Sequence, residues 1–142
     1  MNSHRKSLVS MHDSVKINEF YKPVLELSEG EAEITVDVSD KYFHAAGAVH
    51  GSVYFKMLDD AAWYAANSLE SEYFLVTTSF TTYITRPVSS GTIRAVGKVV
   101  NKNKTQFISE AVMYDSEGRE LGRGSGVFVK SKVPLANASG YA

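Results

Sequence analysis

The chain has 142 residues, 44% of them hydrophobic, which suits one compact domain with a real core and leaves no room for a second. Fifteen Lys and Arg stand against 16 Asp and Glu, a formal charge of −1, so no general basic field exists to hold nucleic acid or an anionic membrane. The lack of cysteine excludes disulfides, thiolate metal sites and a cysteine nucleophile, and suits a reducing cytosol.

Residues 1 to about 14 carry no clear period. The polar start Met1-Asn2-Ser3-His4-Arg5-Lys6 precedes an apolar run too short for a signal peptide or a membrane span. With a small, polar tail from Ser131 onwards, this predicts loose or peripheral ends on a soluble, cytoplasmic protein whose core spans about residues 17–130. Over residues 31–38, Ala32, Ile34, Val36 and Val38 alternate with Glu31, Glu33, Thr35 and Asp37, the pattern of a half-buried strand.

The stretch from 52 to about 69 predicts the one long helix, with Ser52 as N-cap and alanines at 61, 62, 65 and 66. Segments 73–85, 92–100 and 105–114, rich in β-branched and aromatic residues, predict three strands, and the glycine-rich 119–130 a fourth. Turn residues at 86–91, 101–104 and 115–118 fall where consecutive strands would reverse, predicting an antiparallel meander. Long strands with one apolar face must cover it, so the predicted class is α+β, a long central helix wrapped by a curved antiparallel sheet.

On a helical wheel Phe55, Asp59, Ala62 and Ala66 share a face of otherwise apolar or small residues, which makes Asp59 a carboxylate on a predicted core stripe. Asp60 falls with Lys56, Trp63 and Asn67, and Lys56 at i−4 is its natural charge partner in a solvated or structural role. Burial raises a carboxyl pKa toward the value a general base needs near neutral pH. The residues alone leave two readings open, a general base or a carboxylate hydrogen-bonded to a neighbouring strand or loop.

Ahead of the helix, His44-Ala45-Ala46-Gly47-Ala48-Val49-His50-Gly51-Ser52 leads small residues into a helix N-terminus, where backbone N–H groups point outward without partners. Such donors stabilise a carbonyl oxygen as it gains negative charge, and a glycine lets substrate approach, so Gly51 is the candidate oxyanion donor. His44, His50 and Asp59 could form a ligand set, but the spacing matches no zinc signature and no further ligand clusters with them, so neither metal nor cofactor is expected. There is no Gly-x-Ser-x-Gly elbow, since Gly124-Ser125-Gly126 lies in a predicted strand, and there is no glycine-rich phosphate loop.

The stretch Gly47-Ala48-Val49-His50-Gly51-Ser52, followed by Met57-Leu58-Asp59 and Ala61, resembles the signature of the hotdog thioesterase superfamily, phenylacetate-pathway type. That pattern is Gly-x-x-His-Gly-Gly and then an acidic residue in the following helix. The resemblance runs from about residue 17 to 130, through Asn18-Glu19-Phe20, Tyr83-Ile84-Thr85-Arg86-Pro87-Val88, Lys104, Asp115-Ser116-Glu117-Gly118 and Gly124-Ser125-Gly126-Val127-Phe128. It implies the hotdog fold and hydrolysis of the thioester of a small or medium acyl- or aryl-CoA, with CoA part of the substrate.

It further implies a homodimer, or a dimer of dimers, with the active site at the interface. Gly51 of one chain would then polarise the carbonyl opposite Asp59 of the other, with Asp59 acting as general base on water or as nucleophile, and His50 would hold the thioester or the leaving thiol. Ser52 stands where the family has its second glycine, and His44 where many members have an asparagine. The family's helper serine or threonine falls at Val76, which leaves the adjacent Thr77 and Thr78 as substrate-binding candidates, with Ser52, Tyr83, Arg86 and Lys104. Arg86, Lys104 and the nearby Lys102, Arg119 and Arg123 supply cations that could meet CoA phosphates. Two rivals stand beside this reading: a non-catalytic acyl-CoA binding or sensing domain on the same fold, and a hotdog dehydratase, whose glutamate fourteen residues after His44 is Leu58 here.

Overall fold

A computed structural model describes residues 2–142. Six strands, β1 (Val24–Ser28), β2 (Glu31–Asp37), β3 (Tyr73–Ile84), β4 (Thr92–Lys102), β5 (Gln106–Tyr114) and β6 (Glu120–Pro134), form one antiparallel sheet in the order β1-β2-β4-β5-β6-β3. Helix α3 (Gly51–Asn67) lies across its inner face and meets every strand. The sheet thus wraps the helix in the hotdog arrangement that the resemblance implies. Shorter helices α1 (Ser3–Ser14) and α2 (Ile17–Tyr21) precede the sheet.

Alternation does what it should in β2, where Ala32, Ile34 and Val36 are buried and the acidic ends are exposed. The buried stripe of α3 is Val53, Tyr54, Met57, Leu58, Ala61, Ala62 and Ala65. Its alanines matter because the helix backbone at Ala61 and Ala62 rests directly on Gly97 of β4, where a side chain would collide with main-chain atoms. Ser109 of β5 ties the same turn to the sheet, its buried hydroxyl donating to the Ala62 carbonyl at 2.8 Å. At the other end Asn67 is buried, donates to the Glu70 and Tyr73 carbonyls and accepts from Leu75 N–H, which fixes the turn from α3 into β3.

Several expectations are corrected. Only β4, β5 and β6 form a meander; β3 pairs with β6 and not with β4. The physical reason is that α3 carries the chain across the sheet face, so β3 begins at the far edge and residues 86–91 form a crossover instead of a hairpin. The N-cap of α3 is His50, whose Nδ1 accepts the Ser52 N–H at 3.0 Å, and Ser52 is already inside the helix.

The ends are not loose or peripheral either. Leu8, Met11 and His12 of α1 are buried, as is Leu135 beyond β6, because the C-terminal end of α3 presents apolar surface that the sheet does not reach. Strand β1, which alternates Leu25 and Leu27 inward, was not foreseen.

Since Gly97 leaves no space between sheet and helix, Gly97→Val should lower stability by about 2–3 kcal/mol, the usual cost of overpacking. Denaturant unfolding measures this, and a midpoint equal to wild type would mean the helix is not seated as described.

Candidate active site

Asp59 does not sit within the core stripe. Phe55, one turn before it, is 44% exposed, so this face of α3 runs along the boundary of the core, and Asp59 is half-buried at that boundary. Its Oδ1 accepts the Thr77 hydroxyl at 2.9 Å, while among the described residues Oδ2 carries no hydrogen bond. Burial pushes the Asp59 carboxyl up to about 6; the Thr77 hydrogen bond opposes this, the Asp60 charge adds to it and Lys56 opposes it.

Thr77 reaches Asp59 because β3 is irregular there. Thr77 pairs with Phe128 and Ser79 with Val127, so Thr78 is the extra residue of a bulge. The bulge directs Thr77 toward α3, whereas the Thr78 hydroxyl donates to the Val127 carbonyl. Of the two candidate threonines the structure therefore joins one, Thr77, to the carboxylate.

Asp59 opens into a cavity of about 570 Å³ walled by Met11, Val15, Trp63, Phe74, Leu75 and Val76 and by the polar groups Lys56, Asp60, Asn18 and Thr77. Trp63 anchors one side, its indole N–H donating to the Leu75 carbonyl at 2.8 Å and its ring set against Tyr64 and Phe74. The expected Lys56–Asp60 ion pair is present but half-buried in this wall, and Lys56 also donates to Asn18 Oδ1 at 2.8 Å. Burial pushes the Tyr64 hydroxyl far above its ordinary range, which keeps that wall neutral.

A second cavity, of about 350 Å³, lies at the start of α3 and brings together His44, Gly51, Tyr54, Ile84 and Arg86. The Tyr54 hydroxyl donates to the Arg86 carbonyl at 2.6 Å and holds the crossover loop to the helix. Among the described residues the Gly51 N–H has no acceptor, as expected of the first position of a helix. His50 is folded back on Ser52, its Nδ1 taking the backbone N–H and lying 2.8 Å from Ser52 Oγ, so in the neutral ring the proton sits on Nε2. His44 is exposed, and its Nδ1 accepts the Ala46 N–H at 3.1 Å.

Asp59 and Gly51 are eight residues apart on one helix, about 12 Å along its axis. No single carbonyl reaches both within one chain. Tyr83 is 60% exposed, and neither it nor Lys104, in the turn between β4 and β5, lines either cavity. Among the described residues no three His, Cys, Asp or Glu side chains cluster as a metal site, and no helix is long and apolar enough to cross a membrane.

The sequence reading missed the cavity residues Met11, Val15 and Asn18. A signal was present: Leu8, Met11, His12 and Val15 fall at i, i+3, i+4 and i+7, the spacing of one helical face, after Asn2 as a cap.

The profile of the thioesterase superfamily matches residues 46–121, which hold Gly51, Asp59 and Thr77. TV1331 of Thermoplasma volcanium, whose name gives it an unproven esterase activity, is 25% identical over 89% of this chain and 93% of its own length. Among solved structures, the PaaI protein from the phenylacetic acid degradation operon of E. coli is similar over 93% of this chain and 97% of its own, at a TM-score of 0.84 and 19% identity. A thioesterase of Haemophilus influenzae is similar over 84% of this chain and 85% of its own, at a TM-score of 0.76 and 16% identity.

Because folding raises the Asp59 pKa, the folded state holds this proton more tightly than the unfolded chain does. Stability therefore falls as pH rises from about 4 to about 6, and the ionised group stays unfavourable above that. Asp59→Asn should stabilise the protein at pH 8 by an amount on the order of 2 kcal/mol and lose that advantage below about pH 4. Thermal unfolding across this range tests it; equal midpoints at pH 8 would mean the carboxylate is freely solvated.

Proposed function

The chain belongs to the thioesterase superfamily, and from that premise we propose that it hydrolyses the thioester of a small or medium acyl- or aryl-CoA, with Asp59 as general base. The observation that carries this is a carboxylate held by Thr77 at the mouth of an apolar cavity, raised to about 6 and with one oxygen that accepts no hydrogen bond among the described residues. Asp59 Oδ2 takes a proton from water, and the water oxygen bonds to the carbonyl carbon while the carbonyl oxygen becomes an oxyanion at a Gly51 N–H. The C–S bond then breaks, and the protonated Asp59 returns its proton to the leaving thiolate. His44 and Arg86 line the Gly51 cavity, which supports roles toward the thioester and the CoA phosphates, and His50, next to Gly51 in the chain, has Nε2–H as a further donor while Nδ1 caps the helix. The phenylacetate-pathway type is the closest reading within the superfamily, supported by the likeness to the E. coli protein.

The Gly51 in question is that of a second copy. Strand β3 is a twelve-residue edge with one side unpaired among the described residues, and Val76, Tyr83, Ile84 and the adjacent Phe55 are exposed apolar side chains, a surface that calls for cover. Antiparallel pairing of two β3 edges brings the Ile84 end of one, which lies against Gly51, toward the Thr77 end of the other, which holds Asp59. The 12 Å separation within one chain supports the same arrangement, and two such dimers can associate further.

Thiol release from a panel of acyl- and aryl-CoA esters tests the reaction. Asp59→Asn should lower kcat by about a thousandfold or more; full activity in that variant would remove Asp59 from the chemistry, and no turnover on a broad panel would leave a binding or sensing domain. Thr77→Val removes a hydrogen bond to the ionised carboxylate, so the acid limb of the kcat/KM profile should move to higher pH; an unmoved limb would separate Thr77 from the titrating group.

Shared sites have their own signature. Gly51→Pro deletes the N–H at a helix position where proline is tolerated, and His50 at φ −63°, ψ 145° already has a backbone that suits a following proline. Mixed after refolding, inactive Asp59→Asn and Gly51→Pro chains should regain about a quarter of wild-type activity, since half of the dimers are hybrids with one intact site of two. No recovery in demonstrably mixed dimers would place Asp59 and its donor in one chain.

A further inference from the structure

We propose that the two ends of the chain form the far wall of the Asp59 cavity and set the length of the acyl group it accepts, selecting uncharged groups with an apolar end. This rests on reading that cavity as the acyl site. The near side of the cavity comes from α3 and β3; the other side comes from Met11, Val15, Ile17 and Asn18 of the N-terminal segment and Ala138 and Ser139 of the C-terminal tail.

The wall is built and fastened. Leu8 and Leu135 are fully buried beneath it. The Ser7 hydroxyl donates to the Ala142 carbonyl at 2.8 Å and the Ser10 hydroxyl to the Gly140 carbonyl at 3.0 Å. His4 Nε2 donates to the Asn67 carbonyl at the end of α3, which leaves Nδ1 to accept the Tyr141 hydroxyl at 2.7 Å. Gly140 adopts φ +84°, and the Ser14 hydroxyl occupies the space its side chain would need, so tail and α1 meet backbone to side chain. Asn18 completes the join: its amide donates to the His12 carbonyl at 2.8 Å while its oxygen receives Lys56 from α3.

Two consequences follow for the ligand. The C-terminal part of the wall consists of two small residues, so bulk added at Ala138 or Ser139 subtracts directly from the cavity, and removal of the Met11 side chain adds to it. The one cation among the described lining residues, Lys56, is neutralised by Asp60 and held by Asn18, which leaves Asp59 as the uncompensated charge. A chain ending in a carboxylate would meet the Asp59 charge and find Lys56 already paired, and is disfavoured.

Calorimetric titration of the full chain with a graded series of S-alkyl-CoA thioethers, which cannot be hydrolysed, tests the wall apart from the chemistry. In Ala138→Phe and Ser139→Phe, affinity for the longest thioethers that wild type binds should fall about tenfold or more, the deficit growing with chain length. Met11→Ala should extend the profile to longer chains, and Lys132→Phe, exposed and outside the cavity, should follow wild type. A thioether ending in a carboxylate should bind about tenfold or more weaker than its methyl-ended counterpart. Superimposable profiles in folded Ser139→Phe and Met11→Ala overturn the proposal, as does equal binding of the carboxylate-ended ligand or no binding of any thioether by wild type. Graded binding without turnover of any ester would instead overturn the hydrolytic reading and leave the wall in place.

Discussion

The height at which α3 sits on the sheet governs the rest of the molecule. At Ala61 and Ala62 the helix backbone rests on Gly97, with neither a helix side chain nor a strand side chain between them, and Ser109 locks the same turn. Contact this close leaves the helix no freedom to rise or roll. Asp59, half a turn earlier, therefore comes within hydrogen-bond distance of Thr77, and Trp63, half a turn later, within reach of the Leu75 carbonyl.

That seating also explains the electrostatics of the site. A carboxylate deeper in the stripe would lie among Leu58 and Ala62, with no solvent route and no partner. At the boundary, Asp59 is desolvated enough to be raised, while one hydrogen bond keeps its ionised form accessible near neutral pH. Asp60 and Lys56 lie on the same edge of the helix but neutralise one another, and Asn18 anchors the pair. Two neighbouring carboxylates thus differ in character because one has a cation and the other only a hydroxyl.

The chain ends belong to this design. Without α1, α2 and the tail, the C-terminal half of α3 would expose Trp63, Tyr64 and Ala66, and the cavity beside Asp59 would be an open slope. The opposite end of the helix has no such cover. There, among the described residues, the Gly51 N–H has no acceptor and the neighbouring outer edge of β3 has no partner strand.

Much was legible from the sequence alone. Alternation in β2, the alanine-rich helix and the later strands are local features, set by side-chain periodicity and turn chemistry within a few residues, so the α+β class could be read directly, while Asp59 stood out through the resemblance of the stretch from Gly47 to Asp59 to the thioesterase signature. Tertiary structure alone decided the place of β3 at the far edge, the bulge that selects Thr77 over Thr78, the turning of His50 into a cap, and the packing of the two ends into a cavity wall. Each of these depends on contacts between segments far apart in the chain, Ser7 with Ala142 or Thr77 with Asp59, and no local pattern of residues encodes which distant surface will arrive to complete it.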